Sequence, residues 1–180
     1  MTTYLFLAEG FEEMEAISPI DILRRANVDL ITVSIGTTLE VTGAHGIIVK
    51  ADNLFEEIDF SNNEMLILPG GMPGTKKLEL HKGLEKLLLQ QFKDNKFIAT
   101  ICAAPSILGK LGMLKSKEAI CYPGFESYLF DAILSSKSVV QSENIITAKG
   151  AGVAIEFALK IVSCLKGENI ANNISSSICY

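Results

Sequence analysis

The sequence predicts an α/β sandwich, with helices packed on both faces of a mostly parallel sheet. Two observations carry this expectation. Apolar runs such as YLFLA (residues 4–8), MLIL within EMLILPGG (64–71) and FIATI within KFIATI (96–101) are unbroken, as in strands buried on both faces. The runs alternate with segments of helical periodicity, the signature of parallel strands joined by helical crossovers.

The first strand, 4–8, leads through a polar turn into MEAISPIDILRRA, where Ile17, Ile20, Leu23 and Ala26 fall at helical spacing. Ser18, Pro19 and Asp21 fit an N-cap, N1 and N3 set, and a start near Glu13 with a bend at Pro19 fits equally. DLITVSI (29–35) is a second strand, and LEVTGAHGIIVKAD (39–52) reads as two short strands joined by the Gly43–Gly46 turn. The strand in EMLILPGG ends abruptly in Pro-Gly-Gly. HKGLEKLLLQQFKDN (81–95) is amphipathic, with Leu84, Leu87, Leu88 and Phe92 on one face. KFIATI is the next strand, and APSILGKLGML (104–114) begins as a helix. Short strands follow at EAICYP (118–123), SVVQS (138–142) and NIITA (144–148), and GVAIEFALKIVSCLKG (152–167) is a periodic helix closed by Gly167.

The 180 residues, 48% of them hydrophobic, supply one sizeable core, and no linker-like stretch or charge block divides them. A single domain over 1–180 is expected. The net charge of −5 is interspersed, which argues against nucleic acid as the main partner. No apolar run approaches the roughly 18–20 residues needed to cross a bilayer, so no membrane partner is expected. The start MTTYLFLAEGFEE has no basic n-region and reads as a strand, not a signal peptide. Cys102, Cys121, Cys164 and Cys179 follow no disulfide framework, CxxC pairs are absent, and only two histidines accompany them. These features point to a reduced, cytoplasmic protein with no metal site.

In parallel sheets, ligands gather beyond the carboxyl ends of the strands. Three such ends carry unusual chemistry here: AEGFEEME after the first strand, PGG after the strand in EMLILPGG and CAAP after the strand in KFIATI. Cys102 stands where a strand gives way to a helix, whose free N–H groups and positive dipole end favour a thiolate. Ala103 and Ala104 fit a sharp strand–turn–helix elbow, and Pro105 suits a first helical turn. Glu9, Glu12, Glu13 and Glu15 crowd the first strand's end, where carboxylates are favoured by a helix dipole. One turned inward would be desolvated and could share a proton with a thiol, although spacing does not say which. Gly70 and Gly71 permit a tight turn with free N–H groups of the kind an oxyanion hole needs. His81 is expected on the surface. On ICYP, two-residue alternation puts Cys121 and Tyr122 on opposite faces, so at most one faces the site. Cys164 and Cys179 are expected to be packing or incidental residues.

With EGFEEMEA, LPGG, ICAAPSILG and GAGVAIEFALKIV in this order, the chain resembles the ThiJ/PfpI superfamily. Within it the match, from Tyr4 to about Leu165, is to the branch of the Parkinsonism-associated DJ-one proteins and their bacterial relatives. The resemblance implies a flavodoxin-like three-layer sandwich, class I glutamine amidotransferase-like, usually a homodimer. It implies that Cys102 is the reactive cysteine of a strained nucleophile elbow and that Glu15, the last Glu of E-E-M-E, is the protonated acid beside it. The backbone N–H groups of Gly70, Gly71 and Ala103 correspond to those around the cysteine. Two positions depart from the pattern. Tyr122 stands where the human relative has a histidine, and Ala103 where the protease-like branch has one, so a peptidase is not expected. His45 matches a position near the dimer interface, within reach of the second protomer's cysteine.

The resemblance implies a cysteine-dependent glyoxalase or deglycase acting on methylglyoxal-like carbonyl compounds or their early adducts, without a cofactor. Cys102 would be the nucleophile and Glu15 the proton shuttle. The alternative is a non-enzymatic redox sensor acting through Cys102 oxidation, and behind it a thiazole- or nucleotide-related hydrolase or amidase.

Overall fold

The computed structural model describes residues 1–180 throughout. In chain order the strands are β1 (Thr2–Leu7), β2 (Leu30–Ser34), β3 (Glu40–Thr42), β4 (Ile48–Lys50), β5 (Asn53–Leu54), β6 (Asn63–Leu68), β7 (Phe97–Ile101), β8 (Glu118–Ala119), β9 (Ile133–Leu134), β10 (Val139–Ser142) and β11 (Ile145–Ala148). The helices are α1 (Glu13–Arg25), α2 (Gly74–Leu80), α3 (Lys82–Lys93), α4 (Pro105–Lys110), α5 (Ala154–Lys166) and α6 (Glu168–Ser177). Seven strands form one sheet in the order β10-β11-β7-β6-β1-β2-β5, parallel except for the β10–β11 pair. This is the flavodoxin-like three-layer arrangement.

The unbroken apolar runs are explained by burial on both faces. In β1, Leu5 and Leu7 point into a core shared with α1 and α5, where Met65, Ile67 and Phe157 meet them. Tyr4 and Phe6 point the other way, into a second core with Leu66, Leu68, Leu84 and Leu88. Each such side chain contributes roughly 1.5–3 kcal/mol on burial, so the central strands are the best-anchored part of the molecule. Their carboxyl ends make a firm platform for a site.

Helix α1 begins at Glu13 and carries Pro19 inside it; Glu12 caps it by accepting the Glu15 N–H at 2.8 Å. Of the two starts the sequence allowed, the earlier is the one formed. Gly167 follows α5 at φ +92°, a conformation that favours glycine. The hairpin β3–β4 forms as expected. EAICYP pairs over only Glu118–Ala119, with β9, because the chain leaves the ladder toward the elbow at Cys102. Helices α2 and α6 and strands β5 and β9 were not expected: α2, β5 and β9 are short, and in α6 the helical spacing of Ile170, Ala171 and Ile174 stands among polar residues. His81 is half-buried, not a surface residue: its Nδ1 accepts the Leu84 N–H at 3.0 Å to cap α3, and its ring lies 4.5 Å from that of Phe55. No helix is long and apolar enough to cross a membrane.

Candidate active site

β7, β6 and β1 are neighbours in the sheet, so the three chemically unusual strand ends meet in space. β1 is also where the strand order reverses, with β2 on one side and β6 on the other, the usual place for a crevice in such sheets.

Cys102 follows β7 directly and adopts φ +65°. A non-glycine residue in this region carries about 1–3 kcal/mol of backbone strain and persists only where its surroundings fix it. Two hydrogen bonds do so. The Cys102 N–H donates to the Ala148 carbonyl at 2.9 Å, and the Cys102 carbonyl accepts from the Tyr122 N–H at 2.7 Å. The sharp turn that results leads into α4 with Pro105 at its first position.

The four glutamates separate by role. Glu9 accepts from the Thr42 N–H of the hairpin at 3.1 Å, and Glu12 caps α1. The Glu13 carboxylate holds the 43–46 turn, accepting the His45 N–H at 2.7 Å and meeting His45 Nδ1 at 2.7 Å. Glu15, 1% exposed, turns inward, and its Oε2 accepts the Gly70 N–H at 2.9 Å. The Cys102 thiol and the Ala151 N–H both bear on this carboxyl, yet Oε1 is left without a well-formed hydrogen bond of its own. Gly70 lies between acid and thiol so tightly that a Cβ there would come within 2.6 Å of both Cys102 Cβ and Glu15 Oε2. Gly71, at φ +89°, packs as closely on the backbone of Phe11 and Glu12. Its N–H and that of Ala103 act to lower the pKa of the Cys102 thiol. The Gly70 N–H serves Glu15 instead, so of the three backbone donors expected around the cysteine, two bear on it.

Burial pushes the Glu15 carboxyl up to about 7, with the nearby Glu12 charge adding to it and the hydrogen bonds from Cys102, Gly70 and Ala151 opposing it. With Glu15 ionised, burial and the adjacent negative charge push the Cys102 thiol up to about 12, against the pull of the Gly71 and Ala103 N–H groups. The thiolate expected from position alone is therefore disfavoured beside a Glu15 carboxylate: α4 is only six residues long, and burial and the neighbouring charge outweigh its dipole. Once Glu15 is protonated the repelling charge is gone and a proton donor stands in its place. Acid and thiol titrate as a pair.

His45 lies outside this cluster in the protomer, held by Glu13 with its side chain 70% exposed. Burial acts to raise the Glu13 pKa but is outweighed by the His45 contacts, which lower it; the pairing raises that of His45. Glu12, Glu13 and His45 bring ligand atoms within 4.8 Å of one another, but these atoms are already committed to the α1 cap and to each other. Tyr122, half-exposed, packs its ring beside Gly150 while Cys121 is buried on the other side. The loop 149–153 after β11 was not anticipated as part of the site. It is a fourth strand end, its signal the glycine pair in KGAGV, and it brings Ala151 to Glu15. All four cysteines are free thiols.

A three-layer α/β sandwich carrying a strained cysteine at a strand–helix elbow, with a buried acid beside it, defines a class of nucleophile-elbow proteins. Comparison with known proteins narrows the class. The model of the DJ-1/PfpI family matches residues 1–164, and the chain belongs to that family. Protein DJ-1 homolog A of Arabidopsis thaliana is 36% identical over 97% of this chain and 45% of its own length. The chain thus spans about half the length of the plant relatives it matches. The glutathione-independent glyoxalase DJR-1.2 of Caenorhabditis elegans is 32% identical over 95% of this chain and 91% of its own. A structure described as oxidized DJ-1 of Toxoplasma gondii superposes with a TM-score of 0.95 at 33% identity, covering 99% of this chain and 98% of the other.

Proposed function

We propose that the protein is a cysteine-dependent glyoxalase or deglycase of the DJ-1 type, with Cys102 as nucleophile and Glu15 as proton shuttle. The observation that carries the reading is the Glu15 carboxyl, buried beside Cys102 with Oε2 occupied by the Gly70 N–H and Oε1 unpartnered. A protonated Glu15 then carries its proton on Oε1. The likeness to a glyoxalase over nearly the full length of both chains supports the chemistry.

For a 2-oxoaldehyde, the Cys102 thiolate forms a C–S bond to the aldehyde carbon. The carbonyl electron pair moves to oxygen, which the Gly71 and Ala103 N–H groups stabilise and to which Glu15 gives its proton, leaving the carboxylate. Glu15 as carboxylate then takes the proton from the former aldehyde carbon, giving an enediol, and the neighbouring carbon is protonated. The resulting thioester is hydrolysed by water, freeing the thiol. Overall one water is added, the aldehyde carbon is oxidised to the acid and the ketone carbon is reduced to the alcohol. No external oxidant is needed. Lactate formation from methylglyoxal tests this: Cys102→Ala is expected to abolish it, and retention of full turnover would sink the reading.

A second reading is favoured by the partly exposed thiol and by the oxidised Toxoplasma relative. Peroxide would oxidise the Cys102 thiolate to sulfenate and a second equivalent to sulfinate, each step reducing one peroxide to water. Intact mass after mild peroxide checks it: a two-oxygen species lost in Cys102→Ser supports sensing, and scattered oxidation of all four cysteines opposes it.

The domain, assembly and setting belong to the same proposal. Residues 1–180 act as one domain of bacterial type in a reduced, cytoplasmic setting, and the protein works as a homodimer on a small carbonyl substrate. Met14 and Ile17 on α1, and Ile47 and Ile48 at the hairpin that Glu13 and His45 tie to α1, are exposed apolar residues that suit a dimer face.

A further inference from the structure

The loop after β11 and the segment after β8 border an open surface cleft of about 310 Å³, lined by Tyr122, Pro123, Lys149 and residues 150–153. That volume is at the low end for small-molecule sites and far larger than a methyl group requires. Apart from Lys149, the side chains facing it are apolar: the Tyr122 and Pro123 rings, Ala151 and Val153. Gly150 and Gly152 bring only backbone to the lining, and a Cβ on Gly150 would lie 3.2 Å from the Tyr122 ring. The same Cβ would lie 3.9 Å from Glu15 Oε1, the buried oxygen without a hydrogen bond. The Tyr122 N–H is bonded to the Cys102 carbonyl. Gly150 and Tyr122 thus join the cleft to the acid–thiol pair, which lies next to it without lining it.

An open cleft whose lining includes a tyrosine ring, a proline ring and glycine backbone accepts a flat apolar group by stacking and burial. Resting on the reading of Cys102 as a carbonyl-directed nucleophile, we propose that this cleft holds the substituent of the carbonyl substrate and selects aromatic or large apolar 2-oxoaldehydes over methylglyoxal. Tyr122 is then a specificity residue, acting through its ring and not its hydroxyl.

The test reads the cleft independently of turnover. Cys102 displaces bromide from 2-bromoacetophenone or from bromoacetone, forming a C–S bond in each case, and intact mass follows both rates against a free thiol. The wild-type preference for the aryl reagent, corrected for the free thiol, is expected to be at least about tenfold, the scale of discrimination an apolar pocket supplies. Tyr122→Phe should keep it and Tyr122→Ala should lose most of it. Gly152→Phe should also lose it by occupying the cleft; a Cβ at Gly152 meets nothing within 4 Å, so the new side chain starts in open space. A wild-type preference equal to that of the free thiol overturns the proposal, as does a preference unchanged in both Tyr122→Ala and Gly152→Phe. Loss of glyoxalase activity in steady-state assays bears on the catalytic reading alone, because alkylation needs no turnover. If turnover is present, phenylglyoxal should exceed methylglyoxal in kcat/KM by a similar factor.

Discussion

Glu15 and Cys102 each sit in a state the unfolded chain would not choose, and both states are measurable. The Glu15 pKa rises from 4.5 to about 7 on folding, a difference of roughly 3 kcal/mol between its two protonation states. Because the folded value lies above the unfolded one, this stabilisation is complete below about pH 4.5. It falls as pH rises through about 7 and is gone above that. Denaturant titrations should therefore show stability declining between these limits in the wild type, with the decline flattened in Glu15→Gln; identical slopes would contradict the burial argument. At Cys102 the φ of +65° is relieved by glycine but not by alanine. Cys102→Gly should be more stable than Cys102→Ala by about 1 kcal/mol, read as a higher Tm. That Cys102 would be singled out was legible from its place at a strand end. Glu15 was not separable from three other glutamates by spacing, since its inward turn depends on the Gly70 N–H, contributed from 55 residues away.

At the scale of elements, the site is the meeting of loops after β1, β6, β7 and β11. Three of the four were visible as odd sequences at the ends of apolar runs. The fourth was not, because β11 is short and its loop carries no titratable group at the site. The Pro-Gly-Gly loop is the closest fit of all. Gly70→Ala forces a Cβ against Cys102 and Glu15, and overpacking of this kind costs roughly 1–3 kcal/mol. Gly70→Ala should lower Tm and also slow Cys102 alkylation by iodoacetamide; a variant with wild-type values in both would show that the loop is looser than described. Helices α2 and α6 escaped the sequence reading for a different reason. The first is seven residues long, too short to show a period, and in the second the helical spacing of Ile170, Ala171 and Ile174, of which Ala171 and Ile174 pack on the core, stands among polar residues.

For the whole molecule, the central strands and their parallel sheet were legible because burial on both faces makes their apolar runs unmistakable, whereas their order comes from the structure. What lies outside the sheet was less so. Met14, Ile17, Ile47 and Ile48 leave an apolar surface around His45, and its use as a dimer face predicts that Ile48→Glu shifts the molecular mass by light scattering from dimer to monomer. A wild type that is monomeric at micromolar concentration would remove that role from the surface.

The central claim is that Cys102 attacks a carbonyl carbon with Glu15 handling the proton. Quenched-flow intact mass with methylglyoxal tests it most directly. The account predicts a single adduct of one methylglyoxal mass, mapped to Cys102, that forms and decays at the turnover rate, is absent in Cys102→Ala and accumulates or forms slowly in Glu15→Gln. Lactate produced at the wild-type rate by Cys102→Ala, with no adduct on the wild-type thiol, would contradict it.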